Sequence, residues 1–266
     1  MLRIEEPPTI HASDTLPAPV LAAHDLAIGY GTSSPVLAEF SLTVRQGEFI
    51  SIIGPSGSGK STVLNALAGI LPPSAHVSGT IDHPDGGALG YLFQRETLLP
   101  WRRVIDNVAV PLELRGVPRH ERQARARAMI ARYGLDGFER HYPSQLSGGM
   151  RQRVLLMRTL IYEPAVVFLD EPLGSLDAQT RLSLQEELRR IREATGGTFV
   201  LVTHDLDEAI ALGTRVVVLG GKPAQVRAEY AVDLPMQESI MELRNLPAFR
   251  DLARQLWEDL RTEDGQ

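Results

Sequence analysis

Three short stretches of this chain carry residues whose types and spacing could handle phosphate groups. Gly54-Pro55-Ser56-Gly57-Ser58-Gly59-Lys60-Ser61-Thr62 fits the pattern G-x-x-x-x-G-K-[ST]. Glycines let backbone N–H groups turn inward toward phosphate oxygens with no Cβ in the way. Lys60 would reach the β- and γ-phosphates as a compact point charge, and the Ser61 hydroxyl would ligate Mg²⁺. Of 27 basic residues only Lys60 and Lys222 are lysines; keeping one here fits a site too narrow for a guanidinium. Val166-Val167-Phe168-Leu169-Asp170-Glu171-Pro172 is an apolar run ending in two carboxylates. Asp170 could hold a metal's water shell while Glu171 orients or deprotonates an attacking water. In Leu146-Ser147-Gly148-Gly149-Met150-Arg151-Gln152-Arg153, a serine and two glycines open a helical pattern, a second N-terminus suited to an anion. Two anion sites with one phosphate loop imply a shared nucleotide.

The elements that must position these residues follow from periodicity. Phe49–Ile53 is a short apolar run of the kind buried on both faces of a parallel sheet, and a helical pattern follows from Thr62 to Ile70. Before it, Val20 to Tyr30 and Phe40 to Val44 read as antiparallel strands around a Gly/Ser/Pro turn at 31–35. From about Gln94 to Ser147 strand signals give way to helix, including an Arg/Ala-rich stretch over His120–Tyr133 that reads as a solvated face. Parallel-type strands return at Ala165–Leu169, Thr198–Thr203 and Arg215–Leu219, separated by helices at Ala178–Glu193 and Asp205–Leu212. The last stretch, about Glu238 to Leu260, reads as amphipathic helix. The expected division is a flexible, proline-rich leader at 1–19, a nucleotide-binding domain at 20–234 with a helical insertion at about 95–146, and a helical tail at 235–266.

Composition narrows the function. The 266 residues include 33 acidic and 27 basic side chains for a net charge of -6, so no global positive field favours nucleic acid or an anionic membrane. No cysteine is present, which removes disulfides, thiolate nucleophiles and cysteine-ligated metals. No stretch approaches the roughly 18 apolar residues of a membrane span, so a membrane role is expected to run through a partner.

The segment Leu146–Arg153 resembles the signature sequence of ATP-binding cassette (ABC) ATPases, and the other family elements follow in order. The resemblance covers roughly Val20 to Leu234. It implies an α/β fold: a P-loop NTPase core with a mixed sheet flanked by helices, an antiparallel β subdomain and an inserted helical subdomain. It implies ATP and Mg²⁺, with Ser61, Gln94 and Asp170 at the metal and Glu171, Lys60 and His204 as catalytic residues. Tyr30 resembles the aromatic that stacks on adenine, Gln94 the glutamine between subdomains, and His204 the switch histidine that meets the γ-phosphate. Gly174-Ser175-Leu176-Asp177 is similar to the D-loop, where Asp177 would meet the opposite subunit, although Pro172-Leu173-Gly174-Ser175 departs a little from its commoner small-residue form. Ser147, Gly148 and Gly149 would contact ATP held on that other subunit.

The stretch Glu96-Thr97-Leu98-Leu99-Pro100-Trp101, with Asp106-Asn107-Val108 and Thr203–Ala209, is similar to the import ATPases of the nitrate, sulfonate, taurine and bicarbonate group. Importers of thiamine-precursor pyrimidines share it. The expected partners are a second, identical ATPase subunit, transmembrane permease subunits docked near Gln94–Val108 and, indirectly, a periplasmic or lipid-anchored solute-binding protein, with no nucleic acid. The expected location is the cytoplasmic face of the bacterial inner membrane. A non-transport ABC ATPase and an exporter subunit stay open as alternatives. A lone P-loop kinase or GTPase would leave the Ser147 segment unexplained.

Overall fold

Each of the three strands that matter most is five residues long and buried along its whole length: β3 (Phe49–Ile53), β6 (Val166–Asp170) and β7 (Thr198–Val202). Strands apolar on both faces need cover on both, and a parallel sheet between layers supplies it. The computed structural model describes residues 17–31, 34–84, 86–174, 176–235 and 237–261. Most of the expected leader, residues 1–16, lies outside the described residues, as do two of the turn at 31–35 and Ser175.

The larger sheet has six strands in the order β5-β6-β7-β3-β8-β9, with β5 (Leu89–Leu92), β8 (Arg215–Gly220) and β9 (Gln225–Ala231) completing it. All pairs are parallel except β8 with β9, so the sheet is mixed. A second, three-stranded antiparallel sheet has β1 (Pro19–Tyr30) between β2 (Leu37–Arg45) and β4 (Ala75–Asp82). Side chains from both sheets and from α1 (Lys60–Leu67) share one apolar core, including Leu26, Phe40, Ile50, Leu64 and Phe168.

The opposite face of the large sheet packs against helices. α2 (Val104–Leu114), α3 (Arg119–Arg132) and α4 (Gly148–Leu160) contribute to a second core with Phe49, Leu169 and Phe199, and α5 (Ala178–Thr195) joins it through Leu184, Leu188 and Ile191. α3 buries only Ala126 and Ile130 among its own residues, so its arginines do occupy a largely solvated face. A third core joins α6 (Leu206–Leu212), β8 and the C-terminal helices α7 (Ile240–Asn245) and α8 (Pro247–Arg261).

Three differences from the sequence reading have physical causes. β4 lacks the apolar alternation of a half-buried strand because it lies at a sheet edge with mostly exposed side chains, whereas β9, also passed over in the sequence, does alternate, with Val226, Ala228 and Tyr230 half-buried and Arg227 and Glu229 exposed. β5 is only four residues and follows Gly86 and Gly87, a weak local signal; its neighbour β6 supplies the register. The tail is two helices because Pro247 opens α8 and the preceding Leu246 is extended, at φ -65° and ψ 136°. Proline disfavours helical geometry in the residue before it and suits a first helical position.

The parallel register fixes the site. Asp170 and Ile52 both pair with Val202, so β6, β7 and β3 end at one level along one edge. That alignment rests partly on Phe199, which is buried and stacks on Phe49 with ring centroids 5.2 Å apart. Phe199→Ala is expected to cost about 3–5 kcal/mol by cavity formation; urea unfolding of variant and parent measures the difference.

Candidate active site

The loop after β3 is shaped by close approach. A Cβ on Gly54 would lie 2.7 Å from both Leu219 O and Ser58 Oγ, and Gly59, at φ 78°, precedes α1 in the left-handed region with Val36 Cγ1 3.1 Å from where its Cβ would be. Between them Pro55, Ser56 and Gly57 form the outer turn, with Ser56 and Gly57 exposed. Lys60 is buried and folds back on this loop, its Nζ donating to Gly54 O and Pro55 O at 2.8 Å each. Burial lowers its pKa, while nearby Glu171 and Asp170 oppose that shift. The buried Ser58 Oγ has no hydrogen-bond partner among the described residues. A cradle with an inward lysine and an orphaned hydroxyl fits an anionic oxygen ligand.

Ser61 and Thr62 start α1, and the Ser61 hydroxyl donates to Asp170 Oδ1 at 2.9 Å, joining residues 109 positions apart. Burial raises the Asp170 pKa; hydrogen bonds from Ser61 and Tyr91 work against the rise. The Tyr91 hydroxyl donates to Asn65 Oδ1 at 2.7 Å and lies 3.4 Å from Asp170 Oδ2, and its own pKa is pushed up by burial. Hydroxyl, carboxylate and the Gln94 carbonyl are hard oxygen donors that fit Mg²⁺.

Glu171 follows immediately with φ 42°, a left-handed backbone that costs a non-glycine residue about 1–2 kcal/mol. Its backbone N–H donates to Val202 O at 2.9 Å, so the end of β7 holds it there. The turn sends its side chain sideways: Gln94 Nε2 donates to Glu171 Oε2 at 3.0 Å, and His204 Nδ1 lies 3.5 Å from Oε1. The His204 side chain is 62% exposed, free to meet a ligand above the edge. Lys60, Ser61, Gln94, Asp170, Glu171 and His204 therefore converge through strand register.

Ser147, Gly148 and Gly149 have other neighbours. Ser147 caps α4, its Oγ accepting from Met150 N at 3.3 Å. A Cβ on Gly148 would lie 3.6 Å from Leu176 Cδ2, and one on Gly149 would lie 2.4 Å from Thr180 Cγ2. Asp177 caps α5 by accepting from Thr180 N at 3.0 Å, and hydrogen bonding to Thr180 holds its pKa down. This second N-terminus thus packs on the Leu176–Thr180 turn. Tyr30 ends β1, half-buried against the core shared by the two sheets.

Sequence reasoning missed three participants. Tyr91 and Asn65 had no signal linking them to Asp170, since only the fold brings them together. Glu208 stood in plain view in Thr203–Ala209, yet helical spacing marks it as an ordinary first-turn acid. It is instead buried, accepting from Thr203 Oγ1 at 2.5 Å.

A family model described as "ABC transporter" matches residues 37–174. Taurine import ATP-binding protein TauB of Pseudomonas putida is 41% identical over 226 residues, 82% of this chain and 86% of that protein. TauB of Yersinia pestis bv. Antiqua is 45% identical over 195 residues, 72% of this chain and 76% of that one. Among solved structures, a dimeric post-hydrolysis state of the ATP-binding cassette MJ0796 bound to ADP and Pi matches with TM-score 0.67 and 30% identity, covering 80% of this chain and 99% of that chain.

Burial pushes the Glu208 carboxyl up to about 7; facing groups Asp205 and Glu171 add to the rise, while Arg181 and the Thr203 hydrogen bond oppose it. An acid whose folded pKa exceeds its unfolded value stabilises the fold below the unfolded value, and that stability is lost as pH rises through about 7. Glu208→Gln, which cannot ionise, is expected to melt about 2–4 °C higher relative to the parent at pH 8.5 than at pH 5. Thermal unfolding at the two pH values checks this; an equal difference at both contradicts it.

Proposed function

This chain belongs to the ABC transporter family and is an ATP-binding, ATP-hydrolysing transport subunit; on that premise we propose that it energises the import of a small solute through a membrane permease. Likeness to taurine import proteins over most of both chains supports a nitrate-, sulfonate- or taurine-type anion as the solute class. The proposed assembly pairs two identical copies, head to tail, beneath permease subunits that receive solute from a periplasmic or lipid-anchored binding protein, on the cytoplasmic face of the inner membrane. Residues 20–234 are the proposed ATPase domain, with 95–146 as its helical insertion and 235–266 as a tail. The exposed Trp101, 72% accessible, lies in the segment proposed to face the permease.

One observation carries the reading. Ser147–Gly149 packs on the Leu176–Thr180 turn, while the cradle meets Asp170 and Glu171. A helix N-terminus so placed serves a nucleotide held by a second copy. In the proposed cycle Gly54 to Thr62 hold the phosphates and Tyr30 stacks on the base. Lys60 leaves its two loop carbonyls for phosphate oxygens. Mg²⁺, when bound, neutralises charge on the transferring phosphoryl group. Ser61, Asp170 and Gln94 would hold it. Glu171 accepts a proton from the attacking water at the oxygen facing His204, and His204 donates to the γ-phosphate. Gln94 bonds Glu171, which gives the segment leading to Trp101 a direct line to the proposed base. Asp177 stands where the partner copy would sense it.

Glu171→Gln keeps the shape and one acceptor oxygen for Gln94 but cannot take a proton. It is expected to bind ATP within about 2-fold of the parent, to accumulate as an ATP-dependent dimer on size exclusion, and to lose at least ~10²-fold in kcat. Steady turnover near the parent rate would remove Glu171 from the role.

A further inference from the structure

Between the end of β6, the turn into α5 and the loop after β7 lies a small pocket lined by Glu171, Gly174, Arg181, His204, Asp205 and Glu208 among others. Three separate parts of the site meet there, and Arg181 spans two of them. Its Nη2 donates to Leu176 O at 3.0 Å, holding the turn before Asp177, and its Nη1 lies 3.7 Å from Asp205 Oδ2. The Arg181 side chain is one third exposed, and its Nε is buried without a hydrogen-bond partner among the described residues. A guanidinium that leaves one donor unmet to reach two loops is placed for bridging, not for solvation.

The loop that receives this contact is held on its other side. Asp205 Oδ1 accepts from Glu208 N at 3.1 Å, capping α6, while Asp205 N donates to Thr203 Oγ1 at 3.1 Å, and Thr203 in turn donates to Glu208. The residues before and after His204 are thus clamped, and the histidine between them is left exposed. The loop is anchored at its start to β3, Thr203 N donating to Ile52 O at 3.2 Å, and the Arg181 ion pair at Asp205 ties its far end to the turn before α5.

We propose that Arg181 is a positioning residue that locks the partner-facing turn at Leu176–Asp177 to the loop bearing His204, so that engagement of a second copy at that turn sets the histidine of the same chain. The inference rests on the site reading above, in which His204 acts on the γ-phosphate. It adds a route by which one nucleotide site reports to the other. Displacement of the turn is transmitted along the guanidinium, through its hydrogen bond to Leu176 and its ion pair with Asp205, and so to the position of the His204 ring beside Glu171.

The test uses the full chain with Arg181→Met, Asp205→Asn and the pair combined. Asn still caps α6, so the helix start survives in that variant. Each single change is expected to lower kcat about 10-fold with KM for ATP within about 2-fold, since misplacement of a catalytic group affects the transition state more than ground-state binding. The double variant is expected to be no slower than either single one, because both remove one connection. Losses that multiply, or an Arg181→Met chain with the parent kcat, overturn the inference, as does loss of ATP affinity or of the parent's circular dichroism in that variant. His204→Ala separates the two readings. If it hydrolyses ATP at the parent rate, the site reading itself fails; if it is slow while Arg181→Met is not, only this inference does.

Discussion

The hydrogen-bond ladder that joins β3, β7 and β6 is the constraint on which the rest depends. Ile52, Val202 and Asp170 lie in one row of that ladder, so the next few residues of each strand emerge along one edge with no further instruction. The phosphate loop, the paired carboxylates and the switch loop are separated by long stretches of chain. Their meeting is a property of parallel pairing, not of any contact among themselves. Parallel pairing in turn requires both sheet faces to be covered, which the two large apolar cores accomplish.

On that frame the site holds charge under tension. Lys60 and Asp170 are both buried, each shifted by burial toward its neutral form; the fields of Glu171 and Asp170 oppose that shift at Lys60, and hydrogen bonds from Ser61 and Tyr91 with the Lys60 field oppose it at Asp170. Glu171 occupies a backbone region that its side chain disfavours, kept there by a hydrogen bond to the end of β7. These costs stand where the nucleotide and its cation are proposed to bind. Lysine donors satisfied by loop carbonyls, and an unmet serine hydroxyl beside them, are arrangements that a phosphate can replace without loss.

Much of this was legible in the sequence because phosphate chemistry demands particular residues at fixed spacing. Gly54, Gly59 and Lys60 follow from local geometry, and the buried strands announce themselves as unbroken apolar runs. Edge strand β4 did not, since most of its side chains face solvent and carry no pattern, and the alternation of β9 is short and interrupted by Arg227 and Glu229. Tyr91 and Arg181 were silent for a different cause: each acts on groups brought near only by folding, and nothing at positions 91 or 181 records that neighbour. Glu208 was visible as a residue and invisible as a buried acid, because its burial depends on Thr203, Asp205 and Arg181 folding against it.

In the proposed dimer one polypeptide supplies half of each nucleotide pocket, its cradle and its Ser147–Gly149 turn serving different ATP molecules. Mixing two variants tests it most directly: Lys60→Ala, which spoils the cradle, and Ser147→Arg, which spoils the turn. Each alone should be inactive as an ATPase. A mixture should regain hydrolysis, because in the mixed dimer one pocket joins an intact cradle from the Ser147→Arg copy to an intact turn from the Lys60→Ala copy. A Ser147→Arg chain that hydrolyses ATP at the parent rate, or a mixture as inactive as its components, would contradict the claim.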